Sequence, residues 1–283
     1  MGPESLRKKA EHLRALHTAG RLLVLPNVWD PIGARVLVRQ GYPAVATASA
    51  AVSASLGYAD GERLLRATML EKVARIASSV DVPVTADMES GYADSLVELE
   101  ETTRRVIAVG AAGLNIEDGT LEGGPLRDLD EQRERIACVR STATAEGVPL
   151  VINARIDCFL SSSFPDAAAA MDECVRRAAA YVGAGADCVY PIGPGDESTV
   201  RTLRERIACP INILGSPGAA SLSVLRTIGV NRVSFGPFLF RLLLRRFADL
   251  TAELRRLGPV RLDDMLTSRE AAVYLRDTPE GPA

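Results

Sequence analysis

Short apolar runs alternate with longer amphipathic segments along most of the chain. The longer segments carry apolar residues at three- and four-residue spacing, which is typical of helices with one buried face. The short runs have the length and composition of buried strands. Eight such runs are predicted strands, at residues 22–25, 44–47, 82–85, 113–116, 150–153, 187–190, 211–214 and 232–235. Each run is followed by a stretch with a helical pattern. Because strands joined by helices usually run parallel, we expect a parallel sheet.

Local signals place helices between and after these strands. Asp30 followed by Pro31 predicts a helix start, because aspartate caps helix N-termini and proline fits the first helical position. The segment AAVSASLGYADGE, after the second strand, reads as a long loop of small residues. Predicted helices cover residues 31–39, 64–78, 96–109, 131–145, 167–182, 238–257 and 268–276, and glycines at 41, 110, 147 and 183 follow four of the helix ends.

Eight alternating units predict a single (β/α)8 barrel of the TIM type, with the whole of residues 1–283 in one domain. An open, doubly wound sheet is the alternative. It is disfavoured because the chain after the first strand reads LPNVWDP and lacks the Gly-x-Gly-x-x-Gly signature. Residues 1–20 read as an N-terminal helix. Residues 237–283 exceed what eight units need, so we expect these C-terminal helices to pack on a neighbouring subunit or to cap the barrel.

Composition disfavours several classes of function. The formal net charge is −3 and no basic stripe indicates a nucleic-acid partner. The only two histidines, His12 and His17, lie in the N-terminal helix, which disfavours a catalytic triad or a histidine zinc site. Five cysteines without a Cys-x-x-Cys pair indicate reduced thiols, and no apolar run suits a signal peptide or a membrane span. We therefore expect a cytoplasmic protein with no membrane partner.

Two acids follow the third predicted strand, in the sequence VPVTADMESGY. Asp87 and Glu89 are two residues apart, so an extended backbone would point both carboxylates to one face. Two such carboxylates repel each other unless a cation lies between them, and oxygen ligands suit Mg²⁺ or Mn²⁺. A solvated loop start, with both acids facing water, is the alternative, and the pair alone does not decide between them.

In a barrel, the carboxyl ends of the strands form the mouth of the active site. Glu117 follows the fourth strand and Arg155 the fifth, and an arginine opposite a bound cation can hold a small dianion such as a 2-oxo carboxylate. An ion pair of Arg155 with Glu117 or with a neighbouring aspartate is the alternative, and Asp118 suits a structural role better. Further candidates for the mouth and its pocket are Trp29, Tyr190, Ile192, Asn212 and Phe235.

Five motifs, in their order and spacing, resemble the isocitrate lyase / phosphoenolpyruvate mutase superfamily. They are ASLGYAD, VPVTADMESGY, GAAGLNIED, INARID and RVSFGPFLFR, and the resemblance extends over residues 22–244. It implies a (β/α)8 barrel whose eighth helix is exchanged between subunits, and therefore a homo-oligomer, either a dimer or a tetramer. The ASLGYAD motif resembles the superfamily's mobile gating loop, here the segment 53–62.

The resemblance also implies roles for individual residues. Asp87 matches the acid that contacts Mg²⁺ directly, whereas Glu89 and Glu117 match acids that hold the ion through water. Arg155 matches the arginine that binds the substrate. The remaining implied roles are catalysis by Asp60, with Tyr58 as a weaker candidate, and binding of a carboxylate by the backbone amides of Ser49 and Ala50.

The chain departs from the superfamily pattern after the fourth strand. The segment EDGTLEGGPLRD lacks the cysteine and histidine of isocitrate and methylisocitrate lyases, and it lacks the lysine and asparagine of the mutases. Glu89 stands where many members have aspartate, and Ala48 where serine is common. We therefore expect a Mg²⁺-dependent lyase that cleaves a C–C bond of a small 2-oxo or 2-hydroxy carboxylate through an enolate. The alternatives are phosphonopyruvate hydrolase or mutase-like P–C chemistry, and a catalytically silent barrel that binds metal and anion.

Overall fold

The computed structural model describes residues 3–119, 124–257 and 265–275. Parallel strands form a ring with helices outside it. The ring is closed because the first strand pairs with the last and a bridge between Val189 and Ile211 joins β7 to β8. The predicted (β/α)8 fold is therefore confirmed. Its strands are β1 (Leu23–Leu25), β2 (Asn27–Val28), β3 (Val45–Thr47), β4 (Val84–Asp87), β5 (Gly113–Glu117), β6 (Val151–Ile156), β7 (Cys188–Pro191), β8 (Asn212–Leu214) and β9 (Arg232–Ser234).

Strands β1 and β2 together form the first barrel strand. Pro26, which separates them, has no N–H to donate to a neighbouring strand. Strand β1 pairs with β9, whereas β2 pairs with β3. Asn27 bridges these neighbours, because its Oδ1 accepts from the N–H groups of Phe235 (2.7 Å) and Gly236 (2.9 Å) and its Nδ2 donates to the carbonyl of Thr47 (2.7 Å). The side chain of Asn27 thus fastens the closure of the barrel at its carboxyl end.

Most predicted helices are present with boundaries shifted by one to three residues. The start of α2 is as predicted, since the Asp30 carboxylate caps it by accepting from the N–H of Gly33 at 2.7 Å. The helices are α1 (Pro3–Thr18), α2 (Pro31–Arg39), α3 (Ser49–Ser55), α4 (Arg66–Ala77), α5 (Leu96–Ala108), α6 (Leu129–Ala145), α7 (Ala167–Gly183), α8 (Glu197–Arg206), α9 (Leu222–Ile228), α10 (Phe238–Arg255) and α11 (Ser268–Ala272).

Two details of the sequence interpretation are wrong. Residues 49–55 form the short helix α3 and not a loop. The small residues of this segment, rich in alanine, favour a helix, and their buried positions stabilise it. Helix α7 continues through Gly183, so the left-handed residue after it is Gly185, with φ +110°. Helices α8 and α9 were not recognised, because α8 is mostly polar, with only Val200 and Leu203 buried, and α9 is only seven residues long.

Helix α1 covers the amino-terminal end of the barrel. Leu13 is fully buried there, and a Cβ atom added to Gly113 at the start of β5 would lie 2.9 Å from its side chain. His17 is buried beside it and accepts, through its backbone carbonyl, from Asn231 Nδ2 at 3.1 Å. The mouth at the opposite, carboxyl end of the strands is left open for a site.

Helix α10 leaves its apolar side uncovered within the described chain. It has no buried residue, and more than half of the Leu243 and Phe247 surface is exposed. Packing of residues 237–283 on a neighbouring subunit therefore stays a prediction. Residues 258–264 and 276–283 of this C-terminal segment lie outside the described part of the structure. The same is true of residues 1 and 2 of the predicted N-terminal helix. None of the described helices is long and apolar enough to cross a membrane.

Candidate active site

A cavity of about 450 Å³ lies at the carboxyl ends of the barrel strands. Its wall is unusually acidic for a partly enclosed space. Four of the carboxylates that the sequence singled out lie on this wall, namely Asp60, Asp87, Glu89 and Glu117. Three come from neighbouring barrel strands or the loops that follow them, and Asp60 comes from the segment 53–62. The chain thus gathers negative charge from separate segments into one place.

Asp87 is the last residue of β4, and its carboxylate is held from two sides. Oδ2 accepts from the N–H of Ser49 at 2.9 Å and from its hydroxyl at 2.8 Å. Oδ1 accepts from Asn115 Nδ2 at 3.3 Å. The backbone amide of Ser49 is therefore engaged by Asp87 and not free for a substrate carboxylate. Ala50 lines the cavity and retains the substrate role that the resemblance implies.

Glu89 reaches the cavity by a route that the sequence did not predict. The argument from strand alternation is wrong, because β4 ends at Asp87 and Glu89 has a left-handed backbone, with φ +49°. Its carboxylate accepts from the Tyr92 hydroxyl at 2.7 Å and from the N–H of Glu62 at 2.5 Å. Burial, with repulsion from Asp60 and Asp87, raises the pKa of Glu89 to about 7 against the opposing effect of these hydrogen bonds.

Asp60 lies at the cavity mouth, where part of the residue faces solvent and part faces the cavity. The loss of surrounding water and the repulsion from Asp87 raise the pKa of its carboxyl group, while Arg155 opposes this shift. A carboxyl group with a raised pKa retains its proton closer to neutral pH, which suits a residue that gives or takes a proton. The position and the shift therefore agree with the catalytic role that the resemblance implies for Asp60.

Glu62 fastens the segment 53–62 to the loop after β4. Its Oε1 accepts from the Ser90 hydroxyl and from the N–H of Tyr92, both at 2.8 Å. Glu62, Glu89 and Tyr92 all have positive φ, at 57°, 49° and 51°, which non-glycine residues rarely adopt. Such strain persists only where surrounding contacts enforce it. The sequence analysis missed Glu62 and Ser90, because nothing in the sequence shows that these two segments are neighbours.

Arg155 forms ion pairs with two acidic neighbours, Glu117 and Asp157. Nη1 lies 2.6 Å from Glu117 Oε2, and Nε and Nη2 each donate to Asp157 at 2.7 Å. This is the ion-pair alternative left open by the sequence, although Arg155 also lines the cavity. Burial raises the pKa of Glu117 well above its usual range; Arg155 opposes this effect, and the neighbouring acids Asp157 and Asp87 add to it.

Asp118 supports this arrangement from below. It is fully buried and accepts from the N–H of Asp157 at 2.9 Å, the Tyr181 hydroxyl at 2.7 Å and Arg177 Nη1 at 3.1 Å. Asp157 in turn holds Arg155. Asp118 therefore anchors the residues that position the arginine, which is the structural role that we expected for it.

Several residues with an expected site role lie off the cavity wall. Trp29 packs edge-on against Phe240, with ring centroids 5.1 Å apart. Tyr58 is 52% exposed and does not face the cavity. Asn212 is fully buried and donates to the Ser234 hydroxyl at 3.0 Å, so it lies beneath the cavity surface. Their distance from the wall does not favour direct contact with a ligand in this conformation.

The rest of the expected pocket is partly assembled. Tyr190 and Ile192 line the cavity, whereas Phe235 does not and packs against Gly215, where an added Cβ would lie 2.6 Å from its ring. Arg241, in the first turn of α10, also lines the cavity. It stacks over the Phe238 ring at 5.8 Å and forms no ion pair with any described residue. The sequence analysis missed Arg241, because its place on the wall depends on how α10 packs beside the barrel mouth.

The carboxylates are suitable ligands for a divalent cation, although the described residues do not form a complete coordination site. In the described ranges, no three acid, histidine or cysteine side chains come close enough together to bind a metal by themselves. Carboxylate oxygens are nonetheless the ligands of a hard cation. Several carboxylates with raised pKa on one wall form a site whose charge a cation would neutralise.

Comparison with known proteins agrees with the fold. A family model described as phosphoenolpyruvate phosphomutase matches residues 13–255. An uncharacterized protein of Mycobacterium tuberculosis (strain H37Rv) is 33% identical over 78% of this chain and 80% of its own. An oxaloacetate decarboxylase of Rhodopseudomonas palustris (strain CGA009) is 29% identical over 75% of this chain and 73% of its own.

Solved structures agree over most of the chain. A protein of Burkholderia cenocepacia, provisionally named a phosphonomutase, is 38% identical, with a TM-score of 0.82 over 87% of this chain and 99% of that one. A second protein of the same organism, provisionally named a lyase/mutase, is 32% identical, with a TM-score of 0.87 over 95% of both chains.

The family match covers far more than half of the chain, and the expectation of an enzyme of this superfamily is confirmed. The chain belongs to the phosphoenolpyruvate phosphomutase family and, with it, to the isocitrate lyase / phosphoenolpyruvate mutase superfamily of lyases and mutases.

Proposed function

We propose that this protein is a Mg²⁺-dependent lyase that cleaves a carbon–carbon bond in a small 2-oxo or 2-hydroxy carboxylate. Decarboxylation of an oxaloacetate-like dicarboxylate is the simplest such reaction. The proposal depends on one observation, the cavity whose wall brings the carboxylates of Asp60, Asp87, Glu89 and Glu117 together with the guanidinium groups of Arg155 and Arg241. Acids for a divalent cation beside arginines for an anion suit a small dianion that binds next to the ion.

Asp87, Glu89 and Glu117 would hold the ion, with Asp87 in direct contact and the two glutamates acting through water. Mn²⁺ can replace Mg²⁺, since both take oxygen ligands. When bound, the ion supplies Lewis-acid stabilisation of the negative charge that develops on the substrate as its bond breaks. Ser49 keeps Asp87 in place for this task through its two hydrogen bonds to Oδ2.

The other wall residues would bind and orient the substrate. Arg155 would bind one carboxylate by exchanging part of its present contact with Glu117, and Arg241 offers a cation without an acidic partner for a second carboxylate. Ala50 lies on the same wall, and its N–H, in the first turn of α3, would help to fix the orientation. Such positioning reduces the entropic barrier to reaction. The segment 53–62, fastened by Glu62, would exclude water from the cavity mouth.

Proton transfer is assigned to Asp60, because it lies at the cavity mouth and its pKa is raised towards the range in which a carboxyl group can give or take a proton. Decarboxylation releases CO₂, which needs no proton, so it requires only one protonation, at the carbon left behind. This fits a chain whose segment 117–128 contains no cysteine, histidine or lysine. Cleavage of methylisocitrate in the superfamily uses a cysteine acid in that segment, so this substrate is disfavoured. Residues 120–123 of the segment lie outside the described part of the structure.

The test is an assay of purified protein with oxaloacetate, several 2-alkylmalates and phosphonopyruvate, each with Mg²⁺ and with EDTA. We expect Mg²⁺-dependent turnover of a carboxylate that falls by roughly a hundredfold or more in Asp87→Ala, because that variant removes the direct ligand. Asp94→Ala, which changes an exposed acid off the cavity wall, is the matched control. Undiminished turnover in Asp87→Ala would remove the proposal.

Phosphorus–carbon chemistry is the second candidate, and the name of the matching family and of one Burkholderia structure favours it. Turnover of phosphonopyruvate, with none of the carboxylates, would replace the first proposal with this one. A catalytically silent barrel is the third possibility. It would be supported if Mg²⁺ and oxalate bind in calorimetry while every compound of the panel remains unchanged.

A further inference from the structure

The interior of the barrel, below the cavity, contains a buried cation without a counter-ion. Arg232 of β9 is fully buried, and its guanidinium forms no ion pair with any residue that the structure describes. Nη2 donates a long hydrogen bond to Asn115 Oδ1 at 3.4 Å, while Nε and Nη1 have no partner among the described residues. Burying an unpaired charge is strongly unfavourable, so its presence requires a compensating interaction.

Asn115 connects this cation to the candidate metal site. It lies on β5, the fourth barrel strand, which faces the eighth across the ring, so the Arg232 side chain spans the barrel interior. The same amide donates from Nδ2 to Asp87 Oδ1 at 3.3 Å, and Asn153 Nδ2 fixes its oxygen at 2.8 Å. One polarised amide thus lies between the guanidinium and the carboxylate of Asp87.

Asp87, linked to Arg232 through Asn115, is the acid on the cavity wall that supplies compensating charge. Burial lowers the pKa of the Arg232 guanidinium, and Asp87 is among the groups that oppose this shift. In the poorly screened interior of a protein, such interactions extend beyond direct contact. Large aliphatic side chains usually fill the layers of a barrel interior. A lone arginine at this position therefore has an electrostatic effect on the site above it, in addition to filling space.

We propose that Arg232 is a positioning residue that sets the balance between cation and anion at this site. Its fixed positive charge, acting through Asn115 on Asp87, weakens binding of the divalent ion and strengthens binding of the anionic substrate beside it. The same charge favours the negative charge that develops during bond cleavage. This inference depends on the proposed function, because it concerns the metal and the carboxylate that the site would bind.

The test compares Arg232→Met, which removes the charge at similar length, with Arg232→Lys, which retains it. Mn²⁺ binding is measured alone, and oxalate binding is measured at saturating Mg²⁺, both by calorimetry. We expect Arg232→Met to bind Mn²⁺ about three- to tenfold more tightly and oxalate weaker by a similar factor, as removal of one nearby charge predicts. Arg232→Lys should remain close to the native protein in both measurements.

Opposite changes for the two ligands are the decisive result, because a structural role would weaken both together. A parallel loss, or no change, in Arg232→Met would overturn the inference. Arg232→Gln, which keeps an amide donor for Asn115, is measured in the same way if the methionine variant does not fold. Failure of both neutral variants to fold would also overturn it, since Arg232 would then serve the fold. Absence of Mn²⁺ and oxalate binding in the native protein would instead contradict the proposed function.

Discussion

Glu89 combines two opposing features at the scale of a single residue. Its carboxylate accepts from Tyr92 and from the backbone of Glu62, which favours the charged form. Burial and the neighbouring acids favour the neutral form more strongly, and its pKa is raised to about 7. A group with a raised pKa in the folded state binds a proton more tightly there than in the unfolded chain. Its contribution to stability is then present at low pH and lost as the pH rises through about 7.

We therefore expect Glu89→Gln to remove part of the pH dependence of the metal-free protein. Between pH 4.5 and about 7, the native protein should lose stability relative to the variant, on the order of 3 kcal/mol, because the charged carboxylate is buried. The measurement is the free energy of unfolding in urea with EDTA, taken at several pH values. Glu134→Gln, an exposed acid on α6, is the control.

The comparison between variants is essential, because His17 acts in the opposite direction. Burial and the positive charge of Arg232 lower the pKa of His17 to about 4, so its contribution is present above pH 6.5 and lost as the pH falls through about 4. Equal slopes of stability against pH in the native protein and in Glu89→Gln would contradict the prediction for Glu89.

Contacts between segments that are distant in sequence could not be predicted at this scale. The alternation of strand residues predicted that Asp87 and Glu89 share a face, yet the left-handed backbone of Glu89 brings it to the cavity. The ion pairs of Arg155 were among the alternatives that the sequence left open. Glu117 lies opposite Arg155 on the adjacent strand, and Asp157 is two residues further along the chain. Glu62 and Arg241 were missed because their site role depends on loop and helix packing, which no local pattern records.

At the scale of elements, the segment 53–62 contacts the loop after β4 through one residue, Glu62. Glu62 makes two hydrogen bonds there, to Ser90 and Tyr92, and its own N–H makes a third to Glu89. Each such bond contributes about 1 kcal/mol. The position of the segment is therefore stabilised by contacts that the Glu62 side chain and backbone form together.

Glu62→Asn should release this segment. Asparagine tolerates the left-handed backbone at this position, but its shorter side chain cannot reach both partners. We expect faster cleavage by trypsin after the exposed Arg63, and roughly a tenfold lower kcat/KM if closure is part of turnover. Glu71→Asn, which removes an exposed ion pair on α4, is the control. Unchanged proteolysis of Glu62→Asn would show that other contacts hold the segment.

Element types were predicted better than their exact limits. Most helices and all eight barrel strands were identified, because burial on both faces of a parallel strand leaves a continuous apolar run. Helix α3 was taken for a loop, since its small residues carry little periodicity. The displacement of β4 by two residues, from 82–85 to Val84–Asp87, shows why a boundary matters here, because it places Asp87 within the strand.

At the scale of the whole molecule, α10 is the part of the chain that most needs a partner. Leu243 and Phe247 lie four residues apart on one face and are 57% and 65% exposed. Apolar residues clustered in this way mark an interaction surface in soluble proteins. The resemblance to superfamily members that exchange their eighth helix leads us to expect a dimer or tetramer.

We expect the double variant Leu243→Glu, Phe247→Glu to lower the mass of the particle in light scattering after gel filtration. Two charges on this face would oppose its burial against another subunit. Glu134→Lys changes the charge of an exposed helix elsewhere and should leave the mass unchanged. A native protein that is already monomeric at micromolar concentration would contradict the expectation of an oligomer.

The pairing of β1 with β9 has a consequence for synthesis of the protein. Residues 23–25 emerge from the ribosome early, but the strand that completes their hydrogen bonding, 232–234, emerges only after most of the chain has been translated. Until then, the nascent sheet has two open edges, which favour association with other chains. A premature stop codon anywhere before the codon for Phe235 would remove the groups that Asn27 binds and leave a polypeptide that needs chaperones or degradation.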